Sequence, residues 1–147
     1  MKTRTEYTCP LELTHDITKG KWKPIILWQL GKGPHSLAGL KREIKGISQK
    51  MLIEQLRELC DYGMVSKTSY EGYPLKVEYS LTSRGTKMLE AVVIMQGIGI
   101  EMMMEDGKEE FLRKKGLVGL RGYQTRLPHG YKKVCNLQGA SFMLECG

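Results

Sequence analysis

The stretch GISQKMLIEQLRELCDYGMV, residues 46–65, restricts the fold of this chain more than any other segment. Between its two glycines, apolar residues recur at helical spacing: Leu52, Leu56, Leu59 and Cys60. That spacing places them in one stripe along an α-helix and leaves the other sides polar. The sequence therefore predicts an amphipathic helix that buries one side, with Ser48 as its N-terminal cap.

Three further helices are predicted before this segment. The first begins at Pro10 and ends at Gly20, and the second begins near Trp22 because Pro24 fits only the first turn of a helix. The third covers residues 36–44, with Ser36 as its cap. The side chains expected to face inward are Leu11, Leu13, Ile17, Leu37, Leu40 and Ile44.

Residues 64–70 and 76–81 predict two strands, joined by the loop EGYPL. The inward-facing residues of the second strand are expected to be Val77, Tyr79 and Leu81. Two helices that meet at a tight turn near Gly46, followed by a β-hairpin, make a winged helix-turn-helix. The predicted class is therefore α+β and mostly α.

Composition and charge narrow the function classes. The formal net charge of +7 favours a polyanionic partner. The four cysteines form no C-x-x-C pair and no nucleophile–base set is visible, so we expect no metal, no cofactor and no enzymatic activity. The chain has neither an apolar leader nor an apolar run long enough to span a bilayer, so we expect a cytoplasmic protein with no membrane partner.

Three ordered segments carry a resemblance to a known family: CPLELTHDITKGKWKPIILWQL, GISQKMLIEQLRELCDYGMV and VEYSLTSRG. Together they closely resemble the HxlR-type transcriptional regulators of bacteria and archaea. The resemblance covers residues 6–105 and implies a dimeric winged-helix protein that binds DNA as a repressor or activator. Residues 106–147 are expected to be a C-terminal extension of uncertain structure.

The polar side of the helix that follows Gly46 is predicted to contact DNA. A polar helix side is usually only solvated, but this one follows a tight turn and precedes a hairpin, as recognition helices do. Gln49 suits adenine, and Lys50 suits guanine or a phosphate. Ser48 has a competing role as the helix cap. The predicted DNA-binding residues are Ser36, Lys41, Arg42, Ser48, Gln49, Lys50, Gln55, Tyr73 and Lys76.

Charged residues near these positions are expected to serve structure or solubility. Lys21 and Lys23 lie at a predicted helix start, which is ordinarily solvated, so a phosphate contact from either is the less favoured interpretation. Arg57 and Glu58 lie further along the recognition helix. They are expected to be solvated or structural.

Residues 88–104, MLEAVVIMQGIGIEMMM, are apolar around most of a predicted helix that Gly97 and Gly99 interrupt. Because a small core covers only one side of such a helix, a second subunit is expected to cover the rest, with Val92 and Met95 at the contact. The alternative is packing within one chain. A homodimer of this kind, built from the N- and C-terminal helices, presents two recognition helices to an inverted repeat in double-stranded DNA.

Cys9 lies directly before Pro10, where the unpaired N–H groups of a helix start favour a thiolate. Several HxlR-type regulators resemble this arrangement and respond to oxidants or electrophiles, so the resemblance implies a redox-sensing role for Cys9. The competing interpretation is that Cys9 only packs at the helix start.

A second function class also stays open: a winged-helix protein-interaction or thiol-reactive module without specific DNA binding. The sequence does not indicate an effector.

Overall fold

A computed structural model of the chain describes residues 6–117. These residues divide into two units, one that ends at Gly97 and one that begins at Ile98. The elements follow in the order α1 (Pro10–Thr18), α2 (Trp22–Leu30), α3 (Leu37–Glu43), α4 (Gln49–Asp61), β1 (Val65–Tyr70), β2 (Lys76–Leu81), α5 (Ser83–Glu105) and α6 (Glu109–Lys114). The α+β, mostly helical class predicted from the sequence is confirmed. Among residues 6–117, none of the helices has the length and apolarity needed to cross a lipid bilayer.

The core of the first unit is built around the leucine stripe of α4, which consists of Leu52, Leu56 and Leu59. All three leucines are fully buried, and each contributes about 1.5–3 kcal/mol relative to an exposed side chain. Cys60, at the edge of the stripe, is half-buried. The stripe packs in one cluster with residues of α1, α2 and α3 and of the loops that follow α3 and α4: Ile17, Ile26, Leu27, Leu30, Leu40, Ile44, Ile47 and Met64.

Serine caps begin α3 and α4, as predicted. The Ser36 hydroxyl accepts the N–H of Gly39 at 3.0 Å, and the Ser48 hydroxyl accepts the N–H of Met51 at 3.1 Å. Between the two helices, Gly46 has φ +89°, a left-handed conformation that glycine adopts without steric cost. The tight turn predicted at this glycine is therefore present.

The β-hairpin, or wing, is antiparallel, with Val65 opposite Leu81 and Tyr70 opposite Lys76. Tyr79 is buried, and its neighbours on the same strand face are half-buried, so the predicted inward side is confirmed. His35, just before α3, donates its N–H to the Tyr79 carbonyl at 3.0 Å and accepts the Tyr79 N–H at 2.8 Å. This bridge fixes the wing to the helix-turn-helix.

Thr82 joins the end of α4 to the start of α5. Its hydroxyl donates to the Gly63 carbonyl at 2.6 Å and accepts the N–H of Gly85 at 3.0 Å. Its own N–H donates to the Met64 carbonyl at 3.0 Å. A Cβ atom at Gly85 would overlap that same carbonyl, so the backbones of the two segments approach as closely as a residue without a side chain permits.

Two predicted side-chain orientations are wrong. Leu11 was expected to face inward but is 74% exposed; two residues before Leu13, it lies on nearly the opposite side of the helix. Val92 was expected at a contact between subunits but is only 5% exposed and belongs to the core of its own chain. It lies three residues after the buried Leu89, and that spacing places both on the inward side of α5.

The second unit contains the end of α5 and all of α6. Among residues 98–117 of this unit, the buried apolar residues are Ile100 and Leu112. Ion pairs four residues apart run along α6, with Glu109 bound to Arg113 at 2.6 Å and Glu110 bound to Lys114 at 2.9 Å. Pairs at this spacing support a helix by about 0.2–0.5 kcal/mol each, and they fit a short helix whose polar sides face water.

We predict that Gly85→Ala lowers the free energy of unfolding by about 3 kcal/mol, because the added methyl group must displace the backbone at Met64. The matched control is Gly99→Ala, where a Cβ meets nothing within 4 Å and the better helix propensity of alanine should add about 1 kcal/mol. Urea unfolding followed by circular dichroism measures both. Equal stability of Gly85→Ala and the wild type would contradict the close approach of Met64, in the segment after α4, to the start of α5.

Candidate nucleic-acid interface

Burial of the leucine stripe leaves one side of α4 in solvent. Its exposed residues are Gln49, Lys50, Ile53, Glu54, Arg57 and Asp61. Ser48, Gln49 and Lys50, three of the predicted DNA-binding residues, lie together here at the helix start, although the Ser48 oxygen also caps the helix. Gln55 is half-buried and lies roughly 120° from Gln49 around the axis. The structure thus separates Gln55 from the other predicted base contacts.

The predicted residues of α3 lie at its two ends. Ser36 is the exposed N-cap, and its hydroxyl hydrogen stays available to a phosphate because the capping bond uses only the oxygen. Lys41 and Arg42 are exposed in the last turn. Because α3 packs against α4, both cations belong to the same helix-turn-helix as Gln49 and Lys50.

The wing carries the last two predicted residues. Tyr73 is fully exposed in the loop between the strands. Lys76 binds Glu78 at 3.0 Å and lies 5.3 Å from the ring centre of Tyr70, whose hydroxyl donates to the same Glu78 at 3.3 Å. The hydrogen bond between Lys76 and Glu78 raises the pKa of Lys76 and lowers the pKa of Glu78. The charge of Lys76 is therefore offset within the wing.

Lys23 is buried, contrary to the solvated position expected from the sequence. It is 4% exposed and forms an ion pair with Glu58. Burial of a charged amine costs free energy unless an anion compensates the charge. The ion pair between Lys23 and Glu58 therefore holds α2 against α4. The available signal was spacing, because Lys23 precedes the buried Ile26 and Leu27 by three and four residues.

Ile53 is not among the residues predicted from the sequence. It is 46% exposed on the same side of α4 as Gln49 and Lys50. The available signal was an apolar residue that falls outside the leucine stripe. Its position adds an apolar group to a helix side that is otherwise made of hydrogen-bonding and charged side chains.

Cys9 is exposed and occupies the N-cap of α1 without a side-chain capping bond. Thr8 and Glu12 bind each other instead, and the Cys9 carbonyl accepts the Glu12 N–H at 3.0 Å. Cys60 differs, because burial, and then the nearby Asp61, raise the pKa of its thiol. Cys9 is thus the accessible thiol of the pair. The cysteines at positions 135 and 146 lie outside the described residues.

The helix-turn-helix, the wing and the exposed side of α4 together define the class of winged-helix DNA-binding proteins. The chain belongs to the HxlR family, since the model described as HxlR-like helix-turn-helix matches residues 17–107. MalR of Fusobacterium mortiferum is 42% identical over 102 residues, which is 69% of this chain and 96% of MalR. The uncharacterized HTH-type transcriptional regulator YkvN of Bacillus subtilis is 37% identical over 115 residues, 76% of this chain and 98% of YkvN.

Two solved structures of regulators are also similar to this chain. The redox regulator HypR in its reduced form matches with a TM-score of 0.63 and 36% identity, over 69% of this chain and 99% of HypR. Diamide-treated YodB from Bacillus subtilis matches with a TM-score of 0.57 and 31% identity, over 65% of this chain and 96% of YodB. These relatives are transcriptional regulators rather than enzymes, and this chain shares their winged-helix fold.

Proposed function

We propose that this chain is a homodimeric transcriptional regulator that binds an inverted repeat in double-stranded DNA, with α4 as its recognition helix. The observation that carries the proposal is the exposed first turn of α4, where Gln49 and Lys50 follow a capped turn. The N-terminal residues of a recognition helix are those that reach base edges in the major groove. Because its partner is genomic DNA, we expect the protein to act in the cytoplasm.

The proposed DNA contacts are of two kinds, contacts to base edges and contacts to phosphates. Gln49 offers a donor and an acceptor side by side, which match the N7 and N6 groups of adenine, and Lys50 matches guanine or a phosphate. Ser36, Lys41 and Arg42 supply phosphate contacts beside α4, and these set register rather than sequence. On the wing, Tyr73 is the contact that the proposal favours over Lys76, since Glu78 already holds Lys76. Ser48 and Gln55 are proposed as secondary contacts.

Alanine at both Gln49 and Lys50 should remove at least ~2 kcal/mol of specific binding, since each good base contact is worth about 1–3 kcal/mol. The measurement is fluorescence anisotropy on DNA flanking the gene or on a site selected in vitro, with circular dichroism to confirm the fold. Gln55→Ala, which removes a proposed secondary contact on another side of the helix, is the comparison and should cost clearly less affinity than the double variant. Full affinity of the double variant, or no salt dependence of wild-type binding, would favour a protein-interaction module instead.

Exposed apolar side chains support the homodimer. Along α5 they are Ile94, Met95, Ile98 and Met102, all at least half-exposed. On α1, Leu11 is exposed as well. An open groove of about 610 Å³ lies between α1 and α5, with Ile17 and Ala91 among its lining residues. Since Ile94 and Met95 follow Ala91 by three and four residues, these two side chains lie on the side of α5 that lines the groove. A second copy of this apolar surface is its proposed cover.

Replacing both Ile94 and Ile98 by aspartate should convert the dimer to a folded monomer, because a charge without a partner is costly inside an apolar contact. Neither residue is buried within the chain, so the fold should persist. Sedimentation velocity gives the oligomeric state. Ser83→Asp, which adds a negative charge at an exposed position in the first turn of the same helix, is the control and should stay dimeric. A monomeric wild type would remove the basis of the proposal.

We also propose that Cys9 senses oxidants. Its exposure and its place at the start of α1 support this role, as do the related redox regulator HypR and the diamide-treated form of YodB. An oxidant such as diamide takes two electrons and two protons from two thiols, which become a disulfide while diamide becomes a hydrazine. An intersubunit disulfide at Cys9, whose second thiol comes from the partner subunit, would shift α1 and the dimer contact that α1 is proposed to make. The spacing of the two recognition helices would change with it.

Diamide should release the wild-type protein from its DNA and should leave a complex of Cys9→Ser intact. Cys60→Ser is the matched control, and its complex should dissociate like the wild type because the half-buried Cys60 thiol is the less reactive one. Gel shift, with non-reducing electrophoresis of the same samples, follows release and disulfide formation together. Release of the Cys9→Ser complex at the wild-type diamide concentration would exclude Cys9 as the sensor.

A further inference from the structure

Ile53 lies among the polar residues of α4 that face solvent. It follows Gln49 by four residues and precedes Arg57 by four, so it lies between them on the same side of the helix. Nearly half of its surface is in water, whereas the leucine stripe is fully buried. Ile53 is also outside the hydrophobic core cluster. Its side chain therefore contributes little to holding the fold together.

Helix stability does not account for an isoleucine at this position either. A β-branched side chain loses rotamer freedom in a helix, so residues such as alanine or leucine are the better helix formers. A single exposed apolar residue is common on protein surfaces and by itself indicates nothing. The informative feature is the position of Ile53. It lies one turn after Gln49 and Lys50, which we assign to base contacts, and one turn before the exposed Arg57.

We propose that Ile53 contacts the 5-methyl group of a thymine in each half of the DNA site. This inference rests on the proposed role of α4 as the recognition helix. In the major groove the thymine methyl is the one apolar group that the four standard bases present. A side chain without donors or acceptors matches that group and leaves the amino group of a cytosine at the same position without a partner. Ile53 thus favours thymine next to the base that Gln49 contacts.

The test removes the methyl group from the DNA and the side chain from the protein, separately and together. After selection of a site with the wild-type protein, each thymine is replaced in turn by deoxyuridine, which lacks only the methyl. For wild-type protein we expect one thymine in each half-site at which this change weakens binding about fourfold, equivalent to ~0.8 kcal/mol. Ile53→Ala should bind the unmodified site more weakly by a similar factor and should no longer distinguish thymine from deoxyuridine there.

Two controls separate this contact from general effects. Glu54→Ala changes the neighbouring exposed residue and should keep the wild-type response to deoxyuridine. Ile53→Met retains an apolar side chain and provides a second variant, which should keep part of the response. Replacing the same A·T pair by a pair of guanine with 5-methylcytosine keeps the methyl but puts an amino group where thymine has its O4 carbonyl, so binding should fall although the methyl is present.

The outcomes are distinct. A wild-type protein that binds deoxyuridine and thymine equally at every position overturns the inference, and so does an Ile53→Ala variant that still discriminates. In both cases specific binding by the wild type leaves the proposed function intact. A wild-type protein that selects no sequence at all fails the proposed function, and the inference fails with it.

Discussion

The complete burial of the leucine stripe is the constraint on which the rest of the molecule depends. Because Leu52, Leu56 and Leu59 are all removed from water, rotating α4 by a single residue, roughly 100°, would expose them and lose several kcal/mol. The side that carries Gln49 and Lys50 is therefore in solvent because the opposite side cannot be. The buried pair of Lys23 and Glu58 adds a second constraint, since any shift of α4 would leave a buried cation without its anion.

Most of the fold follows from local sequence signals. Apolar periodicity, glycine turns and serine caps act within a few residues, and they predict α2, α4 and the wing close to their observed positions. The wrong predictions concern apolar residues whose burial depends on how the helices pack together. Leu11 and Val92 show this in opposite directions, because only the assembled core determines which side of α1 and α5 is covered. The burial of Lys23 likewise depends on Glu58, which is 35 residues away in the chain.

In the candidate site, too, some residue positions follow from the local sequence and others depend on tertiary contacts. The exposed position of Gln49 and Lys50 follows from the helical period and needs no tertiary information. The pairing of Lys76 with Glu78, two residues along one strand, was visible in the sequence as a charge pattern, but its geometry also involves Tyr70 from the opposite strand. The exposure of Cys9 is a tertiary property that the sequence alone does not give, although its place at the N-cap of α1, before Pro10, follows from the sequence.

The junction at Thr82 has a consequence for the energetics of DNA recognition. The last turn of a helix usually frays, because its carbonyl groups lack partners. Here the last-turn carbonyls of α4 accept the N–H groups of the residues that follow the helix. Thr82 in turn binds the carbonyls of Gly63 and Met64 in that following segment. The entropy of ordering this end of the helix is therefore lost during folding. In the proposed complex, DNA therefore contacts the first turn of a helix whose other end is already ordered, and none of the free energy of those contacts is needed to order that end.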